Sequence, residues 1–282
     1  MTNTVADAPL FGIGIAGNFA GHLTQTGEAK GLSHAVDDEK PQALFAFYVP
    51  NGQEDYLTVN PYSSDILTIP TKKGAKVQME AEVAVVADVE YQNGIVTGIT
   101  PRSMRLFNDA TYRNAEVEKL AEKKNWGEAS KGIGLKSLPL SGFDEESGLS
   151  TYRFCSFHCR DDNWYLCCQD ASIADYSYFY QRVLDWLIET INQQQDHGAL
   201  HSITAQLIQA GHPQQILISL GASRYTEQGE QHQLMPGDKL CAVLYDQQQL
   251  DFETIQTRIN NEDFSSLERD ALVLLQRCVA QS

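Results

Sequence analysis

The segment MEAEVAVVADV, residues 79–89, limits what this chain can fold into more than any other segment. Its apolar stretch, residues 83–86, predicts a buried β-strand. Glu80 and Glu82 stand two residues apart at the start of that strand, and side chains two apart point to the same face. Because neighbouring carboxylates repel each other, the pattern predicts either a hard divalent cation between them or an edge strand that turns both to solvent.

A second strand-like segment, residues 104–107, precedes Asp109, which is the candidate third carboxylate ligand. Mg²⁺, Mn²⁺ and Ca²⁺ all prefer oxygen ligands of this kind. The residues alone therefore give the hypothesis of a metal site made of Glu80, Glu82 and Asp109, with the solvent-facing edge strand as the alternative.

Seven short phrases in this sequence resemble those of the fumarylacetoacetate hydrolase superfamily and follow in the same order. No single phrase is specific, but together they extend over residues 17–238. They are GNFAGH (17–22), PQALFAFYVP (41–50), EAE (80–82), NDATYRN (108–114), KGIG (131–134), GAS (221–223) and PGD (236–238).

The resemblance implies an α+β fold, a mixed β-roll of layered sheets with a few flanking helices. It implies a superfamily domain over residues 1–246, with a lid loop at about 17–31, and a homodimer. Residues 247–282 are expected to form a C-terminal helical extension packed on that domain. The resemblance also implies that Glu80, Glu82 and Asp109 bind Mg²⁺ or Mn²⁺, with Ca²⁺ as a further option.

In the superfamily the metal binds the carboxylate and keto oxygens of a 2-oxo acid and stabilises an enolate. By resemblance, Lys131 stabilises the same developing negative charge. His22 matches the histidine that activates water or moves a proton. Arg113 either binds the substrate carboxylate or pairs with a glutamate and braces its turn.

Several positions depart from the superfamily pattern. The acid that usually follows the histidine is Gln25 here, and Glu28 is a candidate substitute. Val49 replaces a lysine and Ala222 a threonine, whereas Ser223 is a candidate to restore the lost hydroxyl.

We therefore expect metal-dependent hydrolysis or decarboxylation of a small 2-oxo or 2,4-dioxo acid, with tautomerisation as the next candidate. The alternative is a non-catalytic metal- or ligand-binding member.

Composition narrows the class of protein. The chain has 282 residues and a formal net charge of −16, which argues against nucleic-acid binding. It shows no apolar run long enough for a membrane helix and no signal-peptide pattern. The six cysteines form no disulfide framework, so we expect a cytoplasmic protein. Zinc at Cys155, His158 and Cys159 is disfavoured, because the alternation of a hairpin separates these side chains.

Hydrophobic periodicity predicts the main elements. Strands are expected at 44–48, 66–69, 83–89 and 95–99, with Asn93-Gly94 as a tight hairpin turn between the last two. Helices are expected at about 115–126, 175–194 and 265–278. One short helix is expected within 193–215.

Overall fold

The computed structural model describes residues 10–22, 25 and 40–281. The strands of this part are β1 Phe11–Ala16, β2 Ala43–Tyr48, β3 Tyr62–Ser63, β4 Ile66–Ile69, β5 Val77–Gln78, β6 Ala81–Gln92, β7 Ile95–Asn108, β8 Thr111–Tyr112, β9 Lys131–Ile133, β10 Leu138–Pro139, β11 Tyr152–Arg160, β12 Asn163–Ser172, β13 Gln215–Ala222, β14 Lys239–Asp246 and β15 Leu272–Ala280. The α-helices are α1 Asp55–Thr58, α2 Tyr180–Gln193, α3 Ile203–Gln209, α4 Glu227–Gln231, α5 Phe252–Asn260 and α6 Phe264–Asp270. Short 3₁₀ turns cover Leu120–Lys123, Glu145–Ser147, Leu149–Thr151 and Ile173–Asp175.

Two large sheets and one ribbon organise these strands. The larger sheet runs β2-β1-β13-β6-β7-β9-β3, with β10 also paired to β7. The five-stranded sheet runs β12-β11-β14-β15-β4, and β5 pairs with β8 in the ribbon. The main hydrophobic core draws side chains from both large sheets and from α2 and α3. This is the mixed α+β architecture that the sequence predicts.

The β6–β7 hairpin positions the segment that contains Glu80 and Glu82. Its turn is Asn93-Gly94, with φ values of +53° and +80°, as the sequence predicts. The register pairs Ala81 with Asn108, so the start of β6 lies beside the end of β7. Because β6 is paired on its other side with β13, it is an interior strand. The alternative of an edge strand with solvent-facing glutamates is therefore wrong.

The helix predicted at about 115–126 is wrong. The described chain forms only a 3₁₀ turn there, Leu120–Lys123. Tertiary hydrogen bonds decide the outcome: the Asn125 side chain donates to the carbonyl oxygens of Phe47 and Val59. These bonds hold residues 124–125 against β2, where a continued helix would turn them away. Ion pairs at helical spacing stabilise a helix by only about 0.2–0.5 kcal/mol per pair. That is too little to outweigh these tertiary hydrogen bonds.

Two other helix predictions are partly correct. The helix expected at 175–194 is α2, which starts only at Tyr180, and its apolar stripe is buried as expected. The helix expected at 265–278 is α6 alone, because Leu272–Ala280 forms β15 between β14 and β4. Leu274 packs in the main core while Leu275 packs on the opposite side of the sheet, so both faces of β15 contact apolar side chains.

The C-terminal extension over residues 247–282 is thus not purely helical in its described part, which contains α5, α6 and β15. A domain division at residue 246 stays a prediction. The short helix expected within 193–215 is α3. In the part of the chain described, no helix is long and apolar enough to cross a membrane.

The β11–β12 hairpin alternates as the sequence predicts. Cys155 packs in a hydrophobic cluster separate from the main core, whereas His158 faces Asp238. Asp238 is buried and accepts hydrogen bonds from Arg160 Nε at 2.9 Å, Arg160 Nη2 at 2.7 Å and the Met235 backbone N–H at 2.8 Å. Burial alone raises the pKa of Asp238, but these hydrogen bonds and His158 hold it well below its usual range.

Asp238→Asn should lower the free energy of unfolding at pH 7 by about 1.5–3 kcal/mol, the range for hydrogen bonds to charged groups. Because the pKa of Asp238 is lowered in the folded protein, its ionised form stabilises the fold above the unfolded value of about 3.9. That contribution is lost as the pH falls further. Urea unfolding at several pH values should show the wild-type advantage shrinking toward pH 3.

The matched control is Asp161→Asn, which removes an exposed carboxylate from the hairpin turn. It should leave the free energy of unfolding almost unchanged at both ends of the pH range. A wild-type advantage over Asp238→Asn that is equally large at pH 7 and pH 3 would contradict the assignment to an ionised carboxylate.

Candidate functional site

Three buried carboxyl groups meet where β6 begins and β7 ends. Glu80 directly precedes β6, Glu82 is its second residue, and Asp109 directly follows β7. The Asp109 backbone N–H donates to Glu80 O at 2.8 Å, which locks the two strand ends together. One ligand atom from each carboxyl group lies within 4.8 Å of the others. The structure thus brings together the three residues predicted as metal ligands.

Three cationic side chains contact these carboxylates. Lys124 Nζ bridges two of them, at 2.5 Å from Glu80 Oε2 and 2.6 Å from Asp109 Oδ2. Arg113 Nη2 lies 2.5 Å from Glu80 Oε1, and Lys131 Nζ lies 2.9 Å from Asp109 Oδ1. Lys131 also donates to the Ala110 carbonyl oxygen. The cluster therefore contains three carboxyl groups and three cationic side chains.

The environment separates the pKa values of the two glutamates. Burial alone raises the pKa of Glu80, but Arg113, Lys124 and His22 together hold it well below its usual range. Burial, with repulsion from Asp109 and Glu80, raises the pKa of Glu82 well above its usual range. Burial also lowers the pKa of Lys131 to about 8, against the opposing attraction of Asp109.

Glu82 is fixed by β13. Ser219 donates its hydroxyl hydrogen to Glu82 Oε2, and the Gly221 backbone N–H donates to the same oxygen at 2.9 Å. Gly221 has a φ of +113°, a conformation that other residues rarely adopt, so this donor depends on glycine. Ala222, which replaces the superfamily threonine, lines the same cavity, whereas Val49 is buried in the main core.

His22 contacts the cluster through Glu80. Its Nε2 lies 3.2 Å from Glu80 Oε1. Because the low pKa of Glu80 keeps that carboxylate ionised and able only to accept, His22 Nε2 is the donor. His22 Nδ1 is buried and has no hydrogen-bond partner among the residues described. In the neutral ring this nitrogen carries the lone pair.

A small cavity of about 30 Å³ lies between these groups. Its lining includes Gly17, Asn18, Phe19, His22, Phe45, Glu80, Glu82, Asp109, Leu120, Lys124, Gly221 and Ala222. A water molecule needs at least about 10–15 Å³ by this measure. The cavity therefore has room for water or one ion, and a 2-oxo acid enters only if lining side chains move.

Two sequence-predicted residues, Gln25 and Ser223, lie outside the cavity lining and contact none of the three carboxylates in the hydrogen bonds of the described residues. The Gln25 amide donates to the Tyr225 carbonyl oxygen and accepts from the Tyr225 N–H. The Ser223 hydroxyl donates to the Gln169 carbonyl oxygen. Glu28, and the rest of the predicted lid apart from residues 17–22 and 25, lie outside the described residues.

Sequence reasoning missed Lys124. It lies in the helix that the sequence predicts at about 115–126, where interleaved lysines and glutamates are typical of a solvated face, yet its side chain is only 4% exposed. The residues that follow it, Asn125 and Trp126, break the charged pattern and are the local sign that the chain turns inward.

Solved structures of similar fold support this architecture. 2-Keto-3-deoxy-D-arabinonate dehydratase complexed with magnesium and 2,5-dioxopentanoate aligns with a TM-score of 0.56 and 13% identity over 97% of this chain and 74% of that chain. For 5-carboxymethyl-2-hydroxymuconate delta-isomerase from Mycobacterium smegmatis the values are 0.52, 12%, 99% and 84%. Yeast ynq8, a fumarylacetoacetate hydrolase family protein, gives 0.52, 14%, 96% and 93%.

Identities this low establish the fold and no activity. A search of curated protein sequences found no match. Residues 30–278, most of the chain, match the family of unknown function DUF5718. The chain therefore belongs to the DUF5718 family, and its fold is that of the fumarylacetoacetate hydrolase superfamily, as its sequence phrases predict.

Proposed function

We propose that this protein binds a divalent metal, Mg²⁺ or Mn²⁺, through Glu80, Glu82 and Asp109, and that it acts there on a small 2-oxo or 2,4-dioxo acid. The reaction is hydrolysis or decarboxylation, with tautomerisation as the next candidate. The supporting observation is the buried convergence of the three carboxylates with three cations and a histidine. The homodimer and the cytoplasmic location remain predictions.

The donor set fits a hard cation. All three side chains offer oxygen, the ligand that Mg²⁺ and Mn²⁺ prefer. Asp109 Oδ1 is buried, and its contact is with Lys131 Nζ at 2.9 Å. When bound, the metal supplies a Lewis acid that stabilises negative charge on a keto oxygen.

The surrounding residues supply the remaining chemistry. Lys131 and Arg113 place positive charge beside the carboxylate cluster, which suits a substrate that is itself a carboxylate. His22 is the proton-transfer group, because Nδ1 has no partner among the described residues while Nε2 is held by Glu80. The magnesium-bound dehydratase and the isomerase of the same fold support a metal-dependent reaction of a small oxo acid.

One observation favours binding without catalysis. Gln25, at the position of the superfamily acid, is bonded to the Tyr225 backbone and is not paired with His22. The carboxylate beside His22 is instead Glu80, whose low pKa makes it a weak proton acceptor. A member that retains the ligand set and only positions a carboxylic acid is therefore the second candidate.

Glu82→Gln should abolish metal-dependent thermal stabilisation. The amide oxygen can still accept from Ser219 and Gly221, so the fold is retained while the carboxyl group that would bind the metal is lost. Wild-type stabilisation follows mass action and reaches about 2.7 kcal/mol at a metal concentration of 100 times Kd. Thermal unfolding across an Mn²⁺ series is the measurement. Glu90→Gln, an exposed glutamate of the same strand, is the control and should respond like wild type.

His22→Ala should lower turnover by about 10²–10⁴-fold, the usual size of general acid–base assistance. The assay is a panel of 2-oxo and 2,4-dioxo acids with and without Mg²⁺ or Mn²⁺, with product formation and thermal shift followed in parallel. His197→Ala, at an exposed position, is the control. Equal turnover in the wild type and His22→Ala would remove His22 from the mechanism. Thermal shifts from the acids without product in any variant would establish the binding alternative.

A further inference from the structure

Lys124 lies where a divalent cation would contact two of the three candidate ligands. Its Nζ is 2.5 Å from Glu80 Oε2 and 2.6 Å from Asp109 Oδ2. Since Mg²⁺–oxygen bonds measure about 2.0–2.2 Å, an ion bound to either oxygen would lie within about 5 Å of this nitrogen. We propose that the Lys124 ammonium group occupies the cation position, and that a divalent metal binds Glu80 and Asp109 by displacing it.

Charge balance supports displacement. Three cationic side chains already contact Glu80 and Asp109, so the three carboxyl groups have no net negative charge left for a further cation even when all three are ionised. A divalent ion added to this set would leave two uncompensated positive charges in a buried place, which is unfavourable. Removing one ammonium group reduces that excess.

Lys124 is the cation best placed to compete. Its Nζ contacts two of the carboxylates, whereas Lys131 contacts Asp109 and Arg113 contacts Glu80. None of the phrases shared with the superfamily includes it, since NDATYRN ends at Asn114 and KGIG starts at Lys131. The competing ammonium is thus a property of this chain beyond the resemblance, and the inference rests on the proposed metal site.

Space at the site also supports competition. The lining of the cavity of about 30 Å³ includes Lys124 together with Glu80, Glu82 and Asp109. A hydrated Mg²⁺ usually keeps several water ligands. This volume does not hold an ion with its waters beside an ammonium group already bound to the same oxygens.

Lys124→Met should raise Mn²⁺ affinity by about 10²-fold or more, because it removes a unit charge within about 5 Å of the dication. Isothermal titration calorimetry and the electron paramagnetic resonance signal of free Mn²⁺ both measure Kd without any substrate. Lys123→Met is the matched control, because it removes the same charge one residue away, where no contact with the three carboxylates occurs among the described residues. Its Kd should equal that of the wild type.

The outcomes separate this inference from the proposed function. Tight Mn²⁺ binding by Lys124→Met with weak binding by the wild type supports both. Equal affinity in the two proteins retains the metal site and overturns the role of Lys124. Failure of the wild type and Lys124→Met alike to bind Mn²⁺ or Mg²⁺ overturns the metal site itself, and with it the competition.

Stability gives a second readout. Without metal, Lys124→Met leaves Glu80 and Asp109 short of one counter-ion, so its unfolding temperature should fall below that of the wild type. Saturating Mn²⁺ should restore it, with a larger shift than in the wild type. If the methionine variant does not fold, Lys124→Gln provides the same comparison, because its amide can still donate to a carboxylate without a charge. An Mn²⁺ shift no larger than that of the wild type would contradict the proposal.

Discussion

The structure depends on compensating three carboxyl groups buried within 4.8 Å of one another. They cannot turn to solvent, because β6 is an interior strand and the face that carries Glu80 and Glu82 continues into the buried residues Ala84 and Val86. Compensation comes from the segment that follows β7. Arg113 directly follows β8, Lys124 directly follows a 3₁₀ turn, and Lys131 starts β9. Each small element after β7 thus delivers one counter-ion to the same cluster.

The sequence predicts elements well where local pattern and tertiary packing agree. The predicted strand at 66–69 coincides with β4, and the turn at Asn93-Gly94 needs only residues that tolerate positive φ. It fails where packing decides between two patterns. Residues 272–280 contain apolar side chains at both helical and strand spacing, and the open position between β14 and β4 selects the strand.

The same distinction applies to the site. The carboxylate triad is predictable because two carboxylates share a strand face and the hairpin register carries Asp109 to them. Lys124 is not predictable from local pattern, because a lysine among glutamates looks solvated until tertiary contacts bury it. Gln25 shows a similar limit: its place in the chain suggests a role beside His22, but its amide is satisfied by the Tyr225 backbone.

The small cavity links the binding of the proposed metal to that of the proposed substrate. A cavity of about 30 Å³ is too small for a 2-oxo acid, so binding must move part of its lining. Glu82 is held by two hydrogen-bond donors from β13. The Lys124 ammonium group, in contrast, lies at the end of a long side chain and is held by ion pairs with Glu80 and Asp109. Displacing that ammonium group opens space and frees two carboxylates together. The negative charge of a carboxylic acid then offsets the charge that a divalent ion adds, so on the proposed function the metal and the acid favour each other's binding.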